Sequence, residues 1–210
     1  MSRMRRAHRA RDGGLLLIRI AVGATIAAHG AQKLFGWFGG HGIDGTAAMF
    51  HQGGFRPARH HAVAAGLVEA GSGTLLALGL ATPAAGAAVA GNMTVASDLH
   101  RPNGFFATNG GFELPFVLGA TGASLAVAGP GSLSFDRLLG DRLNRTWMAP
   151  VAIAGSLAMA AALIHRRQVQ LTTDAAVSAV QGRAETTVTT TGASAPADQP
   201  TDQEMATPSK

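Results

Sequence analysis

Cysteine and tyrosine are both absent from the 210-residue sequence, and charged residues make up only 14% of it. A chain without cysteine has no disulfide, thiol redox centre, iron–sulfur ligand or cysteine-type zinc site. Any redox role therefore requires a bound cofactor or a partner protein. Ordinary soluble domains are about one quarter charged. The shortage of charge indicates a chain that lies largely within a lipid bilayer.

Apolar and small residues take the place of charge. Apolar residues reach 47% of the sequence, and 28 residues are glycine. A membrane-spanning helix needs roughly 20 apolar residues. Five segments approach this length: residues 14–35, 61–81, 83–99, 112–128 and 148–164. The sequence therefore predicts an all-α fold, an integral membrane helical bundle in contact with the lipid bilayer.

The net charge of +5 reflects where the basic residues lie. They cluster in the N-terminal arm and in residues 137–145, beside hydrophobic segments, without the aromatic-and-basic surface of a nucleic-acid protein. We therefore expect no nucleic-acid partner. The positive-inside rule predicts a cytoplasmic N-terminus and an extracytoplasmic loop at residues 36–59. A signal peptide is the competing interpretation, but the length of the first segment favours an uncleaved anchor.

Ionisable residues in the outer half of the predicted bundle are the candidate site. A charge in hydrocarbon is costly and needs a partner or a purpose. The candidates are Glu69, His29 and Lys33, with Asp98, His100 and Glu113 in the same predicted polar cluster. His29 or Lys33 is the expected partner of Glu69. The cluster either pins the helices together or forms a pocket for a quinone head group or a proton, and both interpretations stay open.

Two further features concern packing. Ala62, Gly66, Ala70 and Thr74 are spaced by four and are expected to face a neighbouring helix. Arg19 lies about one turn into the first segment and is expected to extend to the cytoplasmic headgroups. The outer loops also hold several histidines, but their spacing matches no metal-ligand pattern, so no metal site is predicted.

The series of motifs from Leu15 to about Asp136 resembles the DoxX family of small bacterial membrane proteins. The motifs are LIRIAVG, HGAQKLFGWFGG, GIDGTAAMF, GGFRP, AAGLVEAGSGTLLALGLATP, NGFF, GGFELPF and LAVAGPGSLSFD. The resemblance implies a four-helix bundle in the bacterial plasma membrane and a link to respiratory or sulfur redox chemistry. A related subunit belongs to a thiosulfate:quinone oxidoreductase. Another member is linked to an oxidative-stress complex with superoxide dismutase and a sulfurtransferase.

Combining the resemblance with the hydrophobic pattern divides the chain into five parts. They are a basic cytoplasmic arm (1–13), a DoxX-like transmembrane bundle (14–136), a basic interfacial linker (137–147), a fifth transmembrane helix (148–165) and a disordered polar tail (166–210). The fifth helix and the tail depart from the four-helix pattern, so the side of the C-terminus stays undecided.

Three functions remain in competition. The first is a quinone-linked or oxidative-stress component of a membrane oxidoreductase complex, in which Glu69 and His29 exchange protons and Lys33 polarises a quinone carbonyl. The second is a non-catalytic membrane scaffold that recruits soluble redox enzymes. A small-solute transporter is the third, disfavoured because the spans are few and no inverted repeat is visible. No cofactor-binding signature is present, so quinone is the one cofactor considered.

Overall fold

The structure is a computed structural model that describes the backbone of residues 2–192 and the side chains of residues 5–183. This part of the chain is helical and contains no strand, which confirms the predicted all-α class. Its helices are α1 (Ser2–Phe35), α2 (Gly42–Gln52), α3 (Ala58–Leu78), α4 (Thr82–His100), α5 (Glu113–Ala128), α6 (Phe135–Leu138) and α7 (Met148–Gly192).

Helices α1, α3, α4 and α5 form a four-helix bundle. Consecutive members pack as neighbours, and contacts between α1 and α5 close the ring. Helices α3 and α4 form a hairpin through residues 79–81, and α5 runs antiparallel to α4. One end of the bundle holds the C-terminus of α1, and we call it the Phe35 end. The opposite end holds the α3–α4 turn, and we call it the Asp136 end.

Small residues bring α1 and α3 into close contact. A Cβ atom at Gly23 would meet the backbone of Gly73 and Ala77, and one at Gly30 would meet Gly66 and Ala70. Such contacts let membrane helices associate where no hydrophobic effect drives them together. The predicted small-residue stripe is therefore confirmed at Gly66 and Ala70. It is wrong at Thr74, which is exposed, because the buried face of α3 turns towards Gly73 instead.

Helix α4 is the most enclosed helix of the bundle. Its buried face consists mainly of alanine, glycine and valine, and Val89 is fully buried. The apolar core combines Val89 and Met93 of α4 with Ile26, Leu76 and Leu118 from the three other helices. Helix α7 lies along α4, with Gly91 against Ser156. Because its neighbours cover it, α4 needs small side chains more than it needs high hydropathy.

Three helices within the described residues are long and apolar enough to cross a membrane: Arg5–Phe35, Ala58–Leu78 and Met148–Arg183. Helix α5 is a shorter apolar helix of 16 residues. Helix α4 has 19 residues but is not among the three, since polar residues such as Asn92 and Asp98 lower its hydropathy. The chain is therefore a multi-pass membrane protein built as a helical bundle.

The structure differs from the sequence prediction outside the apolar runs. Helix α1 begins at Ser2, so the basic arm continues the first span as helix. The loop predicted at residues 36–59 contains α2. The predicted disordered tail is helical over residues 166–192, where proline is absent, and residues 193–210 lie outside the described residues. A second compact unit begins at Thr172, and its described part is helical.

Candidate functional site

The centre of the candidate site is an ion pair between α1 and α3. Nζ of Lys33 donates to Oε2 of Glu69 at 2.5 Å. Nδ2 of Asn92, on α4, donates to Oε1 of the same carboxylate at 3.0 Å. The Glu69 side chain is 4% exposed and that of Lys33 is 23% exposed. The carboxylate is thus enclosed where three helices meet, while the Lys33 side chain is partly exposed. We call Lys33, Glu69 and Asn92 the Glu69 triad.

Local helix geometry explains why these residues meet. Lys33 follows Gly30 on α1 and Glu69 precedes Ala70 on α3, and the close contact of Gly30 with Ala70 sets the helix separation at this level. Lys33 was one of the two expected partners of Glu69. The other, His29, instead donates through Nδ1–H to Oε1 of Gln32 at 3.0 Å, on its own helix.

A free hydroxyl lies on the same buried face as Glu69. Ser72 is three residues further along α3 and is 5% exposed. Its Oγ is buried and has no hydrogen-bond partner among the described residues. Residues three apart on a helix are neighbours on its surface. Ser72 therefore lies about one turn from Glu69 on the buried face of α3, and its hydroxyl has spare donor and acceptor capacity.

The three remaining predicted site residues are not brought to Glu69. Asp98 accepts from Nη1 of Arg167 at 2.6 Å, across the interface between α4 and α7. His100 donates through Nδ1–H to the carbonyl of Gly110 at 2.9 Å, and Oε2 of Glu113 accepts from the backbone N–H of Ala107 at 2.9 Å. These residues share a bundle end with Glu69, but Asp98 is paired with α7, and His100 and Glu113 bond to the nearby loop. A similar depth in the membrane, as predicted from the sequence, therefore did not mean that these side chains contact Glu69.

A second buried polar cluster lies near the Asp136 end, and sequence reasoning missed it. Arg19 and Asp136 are both 0% exposed. Nη2 of Arg19 donates to the carbonyl of Leu133 at 2.6 Å. Nε and Nη1 of Arg19 are buried and have no hydrogen-bond partner among the described residues. The prediction that Arg19 extends to the headgroups is wrong, because its side chain turns into the bundle beneath the segment that follows α5.

Asp136 caps helix α4 from a distant part of the chain. Its Oδ1 accepts from the N–H of Ala81 at 2.8 Å, and its Oδ2 accepts from the N–H and the hydroxyl of Thr82, both at 3.0 Å. The first N–H groups of a helix have no partner within it. Ala81 occupies the N-cap position but has no side chain able to cap. The carboxylate therefore supplies the missing acceptor. Its negative charge also interacts favourably with the positive, N-terminal end of the α4 helix dipole.

Gly79 makes this arrangement possible. Its φ of +65° is a left-handed conformation that ends α3, and a Cβ atom there would fall on the guanidinium of Arg19. The sequence carried a signal for Arg19, which lies four residues before Gly23 and seven before Ile26 on the buried face of α1. It carried a weaker signal for Asp136, the last residue of the motif series.

The histidines of the outer loops remain dispersed. Within the described residues, no group of three or more histidine, aspartate or glutamate side chains has the arrangement of a metal site. His61 packs its ring against Phe55, with the ring centroids 5.2 Å apart.

Comparison with known families finds a match that includes three of the four bundle helices, α1, α3 and α4. The DoxX family model matches residues 14–101, from the start of the apolar part of α1 to the end of α4. These residues are therefore similar to the DoxX family. This confirms the resemblance for the motifs that lie within residues 14–101, whereas the motifs from Asn103 to Asp136 lie outside the match. The whole Glu69 triad lies inside the matched DoxX residues. No curated protein and no solved structure matches the chain.

The two polar clusters differ in how much of each lies within the matched DoxX residues. Lys33, Glu69, Asn92 and Arg19 lie inside the matched DoxX residues, whereas Asp136 lies beyond them. The Asp136 cap therefore joins a segment that follows the matched residues to the α3–α4 turn within them. Helix α7, with the Arg167 partner of Asp98, also lies beyond the match.

Proposed function

We propose that the chain is a quinone-linked component of a membrane oxidoreductase complex, and that the Glu69 triad handles its protons. The observation that supports this most is the asymmetric burial of the Lys33–Glu69 pair, with 23% and 4% of the two side chains exposed. Ionisable residues inside a membrane bundle commonly mark proton or substrate pathways. A pair in which Glu69 is buried and Lys33 is partly exposed suits the transfer of a proton between the surface and the interior of the bundle.

The pair can carry a proton at low electrostatic cost. A proton that moves from Nζ of Lys33 to Oε2 of Glu69 crosses the 2.5 Å hydrogen bond and converts two charges into two neutral groups. The net charge of the buried site does not change, so no isolated charge is created in a medium of low dielectric constant. Asn92 keeps Oε1 occupied in both states. Ser72 then offers the next oxygen along the buried face of α3.

The residues around Lys33 fit a quinone head group. Phe35 and Trp37 are 62% and 59% exposed beside the end of α1, and their ring centroids lie 5.2 Å apart. The partly exposed Lys33 side chain provides a donor for a carbonyl oxygen, and the two rings at the same end of α1 offer an apolar surface for a planar ring. When bound, a quinone supplies two-electron, two-proton redox chemistry. Lys33 would hold its carbonyl, and Glu69 would hold the proton.

Testing the proton role requires a substitution that preserves shape. We expect Glu69→Gln to abolish survival under oxidative or thiol stress while the protein still accumulates in the membrane. The amide keeps the shape of the side chain, its oxygen accepts from Lys33, and its NH₂ group donates to Asn92 once the Asn92 amide turns over, but it cannot exchange a proton. Membrane abundance and stress survival are measured in the same cells. Glu113→Gln is the matched control, since this carboxylate caps a local loop, and it should behave as wild type.

The scaffold function is the second candidate, and one observation favours it. Both oxygens of Glu69 already have protein partners, as they would in a structural cluster. A scaffold predicts that Glu69→Gln retains normal abundance and full protection. That result would refute the proton role. Recovery of the same co-purifying superoxide dismutase or sulfurtransferase with the variant and with the wild type would then support recruitment as the function.

The proposed orientation places the Asp136 end in the cytoplasm. The basic residues of the N-terminal arm and of the segment after α5 lie at this end, as the positive-inside rule requires. At the Phe35 end, Arg59 and Arg167 are paired with Asp44 and Asp98. The plasma membrane of a bacterium is the proposed location, as the DoxX resemblance implies.

Single cysteines introduced into this cysteine-free chain report the orientation. We expect an impermeant maleimide to label Gln52→Cys in intact cells and to label Ser2→Cys only after the membrane is permeabilised. Gln52 is exposed at the end of α2, so accessibility at that site does not depend on unfolding. The unmodified chain is the blank. Labelling of Ser2→Cys in intact cells would reverse the orientation.

A further inference from the structure

A cavity of about 350 Å³ lies between the α2–α3 connection and α7, at the Phe35 end. We call it the Arg167 cavity. Phe55, Arg56 and His61 line one side, and Leu163, Arg166 and Arg167 line the other. None of these residues belongs to the Glu69 triad. The cavity is therefore separate from the site of the proposed function, and a ligand bound in it would not depend on that function.

One wall of the Arg167 cavity is held rigidly. The Arg167 side chain is only 10% exposed. Its Nε donates to the carbonyl of Gly53 at 2.6 Å, its Nη1 donates to Asp98 at 2.6 Å, and its guanidinium carbon lies 6.0 Å from the centroid of the Phe55 ring. Phe55 is itself buried and packs against His61. Fixed donors of this kind bind a ligand without a further entropic cost of ordering.

The charge of the lining has one sign. Arg56, Arg166 and Arg167 contribute three positive charges, and none of the described residues that line the cavity is acidic. The carboxylate of Asp98 offsets the charge of Arg167 from outside the lining. His61 and His165 add two further ring donors. Arg56 also donates through Nη1 to the carbonyls of His51 and Phe55. A cavity lined by planar guanidinium donors and by no described acidic residue favours an oxyanion, and phosphate above all.

The position of the cavity on α7 indicates where such an anion comes from. Helix α7 is apolar up to Leu163 and Ile164 and then becomes basic at Arg166. A change from apolar to basic residues marks the depth of the lipid headgroups. Leu163 also gives the lining an apolar side. A ligand that combines a phosphate group with an acyl chain satisfies both halves of the cavity.

We propose that the Arg167 cavity binds a phosphate group, presented by the headgroup of an anionic phospholipid. The arginines contact the phosphate oxygens, and the apolar side at Leu163 receives the start of an acyl chain. A bound lipid would contact α7 and the α2–α3 connection together, and would add to the Arg167–Asp98 contact between α7 and the matched DoxX residues. Free phosphate has the same recognition chemistry, so the experiment must separate the two sources.

The full-length protein, purified in a neutral detergent, is titrated with short-chain phosphatidylglycerol, short-chain phosphatidylcholine and inorganic phosphate, and bound ligand is counted by native mass spectrometry. We expect phosphatidylglycerol to bind about tenfold more tightly than phosphatidylcholine. Arg166→Gln should weaken it about fivefold, and Arg56→Gln with Arg166→Gln about 25-fold, from the usual contribution of one arginine near a membrane surface.

Arg59→Gln is the matched control. It removes an exposed arginine from the same region, but Arg59 pairs with Asp44 and does not line the cavity, so affinity should stay within about twofold. Melting temperature without lipid verifies that each variant is folded. Competition by inorganic phosphate with the same dependence on arginine would support the anion site with a soluble ligand. Equal binding of the two lipids, or equal losses in Arg59→Gln and Arg166→Gln, would overturn the proposal.

Discussion

Replacing Asp136 with asparagine should lower the free energy of unfolding by about 2–4 kcal/mol, among the largest effects we expect of any single side chain in the bundle. The carboxylate is fully buried and accepts three hydrogen bonds from Ala81 and Thr82. The amide has one acceptor atom, and its NH₂ group would face an N–H donor. Arg19 would also lose the acidic group whose field acts on it. The substitution thus leaves a buried N–H donor without an acceptor and removes the charge that opposes that of Arg19.

Asp141 provides the control for this prediction. It belongs to the same segment and pairs with Arg137 at 2.9 Å, but in a partly exposed i,i+4 arrangement. Exposed pairs of this kind contribute less than about 1 kcal/mol. Asp141→Asn should therefore leave stability almost unchanged. Thermal unfolding in detergent is the measurement, with a decrease of about 10 °C expected for Asp136→Asn. Equal melting temperatures for the two variants would mean that the cap does not stabilise the bundle.

The spans could be predicted because hydrophobic runs record them directly. The predicted segments 83–99 and 112–128 differ from α4 and α5 by one residue at most at each end. The ends of α1 and α7 were missed because a helix does not stop where its apolar run stops. Hydrogen bonding continues the helix until proline, glycine or a cap ends it. The sequence pattern therefore defines the part of each helix in lipid and not its full length.

The contacts within the polar sites were harder to predict than the spans, because they depend on how each helix is rotated about its own axis. Depth along a helix follows from counting residues, and it placed Glu69, Lys33 and Asp98 at one end of the bundle. Which of them touch depends on the faces that α1, α3 and α4 turn to each other, and these faces are set by the contacts of small residues such as Gly30 with Ala70. Asp98 faces α7 instead. We call the line of close contact between α1 and α3 the α1–α3 seam. If the residues of this seam were known first, Lys33 would be favoured as the partner of Glu69.

For Arg19, too, the depth along the helix gave a wrong prediction. Its depth near a headgroup region suggested an extended side chain, but depth alone does not show which face of the helix a residue occupies. Its spacing of four from Gly23 puts it on the seam between α1 and α3, where it cannot reach lipid headgroups and must find partners inside. Asp136 could not be assigned by any local pattern. Its role requires contact between parts of the chain that are 54 and 55 residues apart.

The second large loss of stability is expected from substitutions at Gly73, which lies in the α1–α3 seam. We expect Gly73→Ala to lower the free energy of unfolding by about 1–3 kcal/mol and Gly73→Leu to prevent stable folding. A Cβ atom at Gly73 would lie 2.6 Å from the carbonyl oxygen of Gly23 and 3.0 Å from Cα of Ala27. Both are backbone atoms and cannot move aside, so α1 and α3 would have to separate. That separation would also stretch the Lys33–Glu69 pair.

Gly71 is a control on the same helix, because a Cβ atom there meets nothing within 4 Å. Alanine favours helix over glycine, so Gly71→Ala should be neutral or stabilising by up to about 1 kcal/mol. Gly71→Leu should also be tolerated, since this position is exposed. Membrane abundance and thermal unfolding in detergent distinguish the two series. If leucine at position 73 were tolerated as well as leucine at position 71, close packing of α1 on α3 could not be what positions the Glu69 triad.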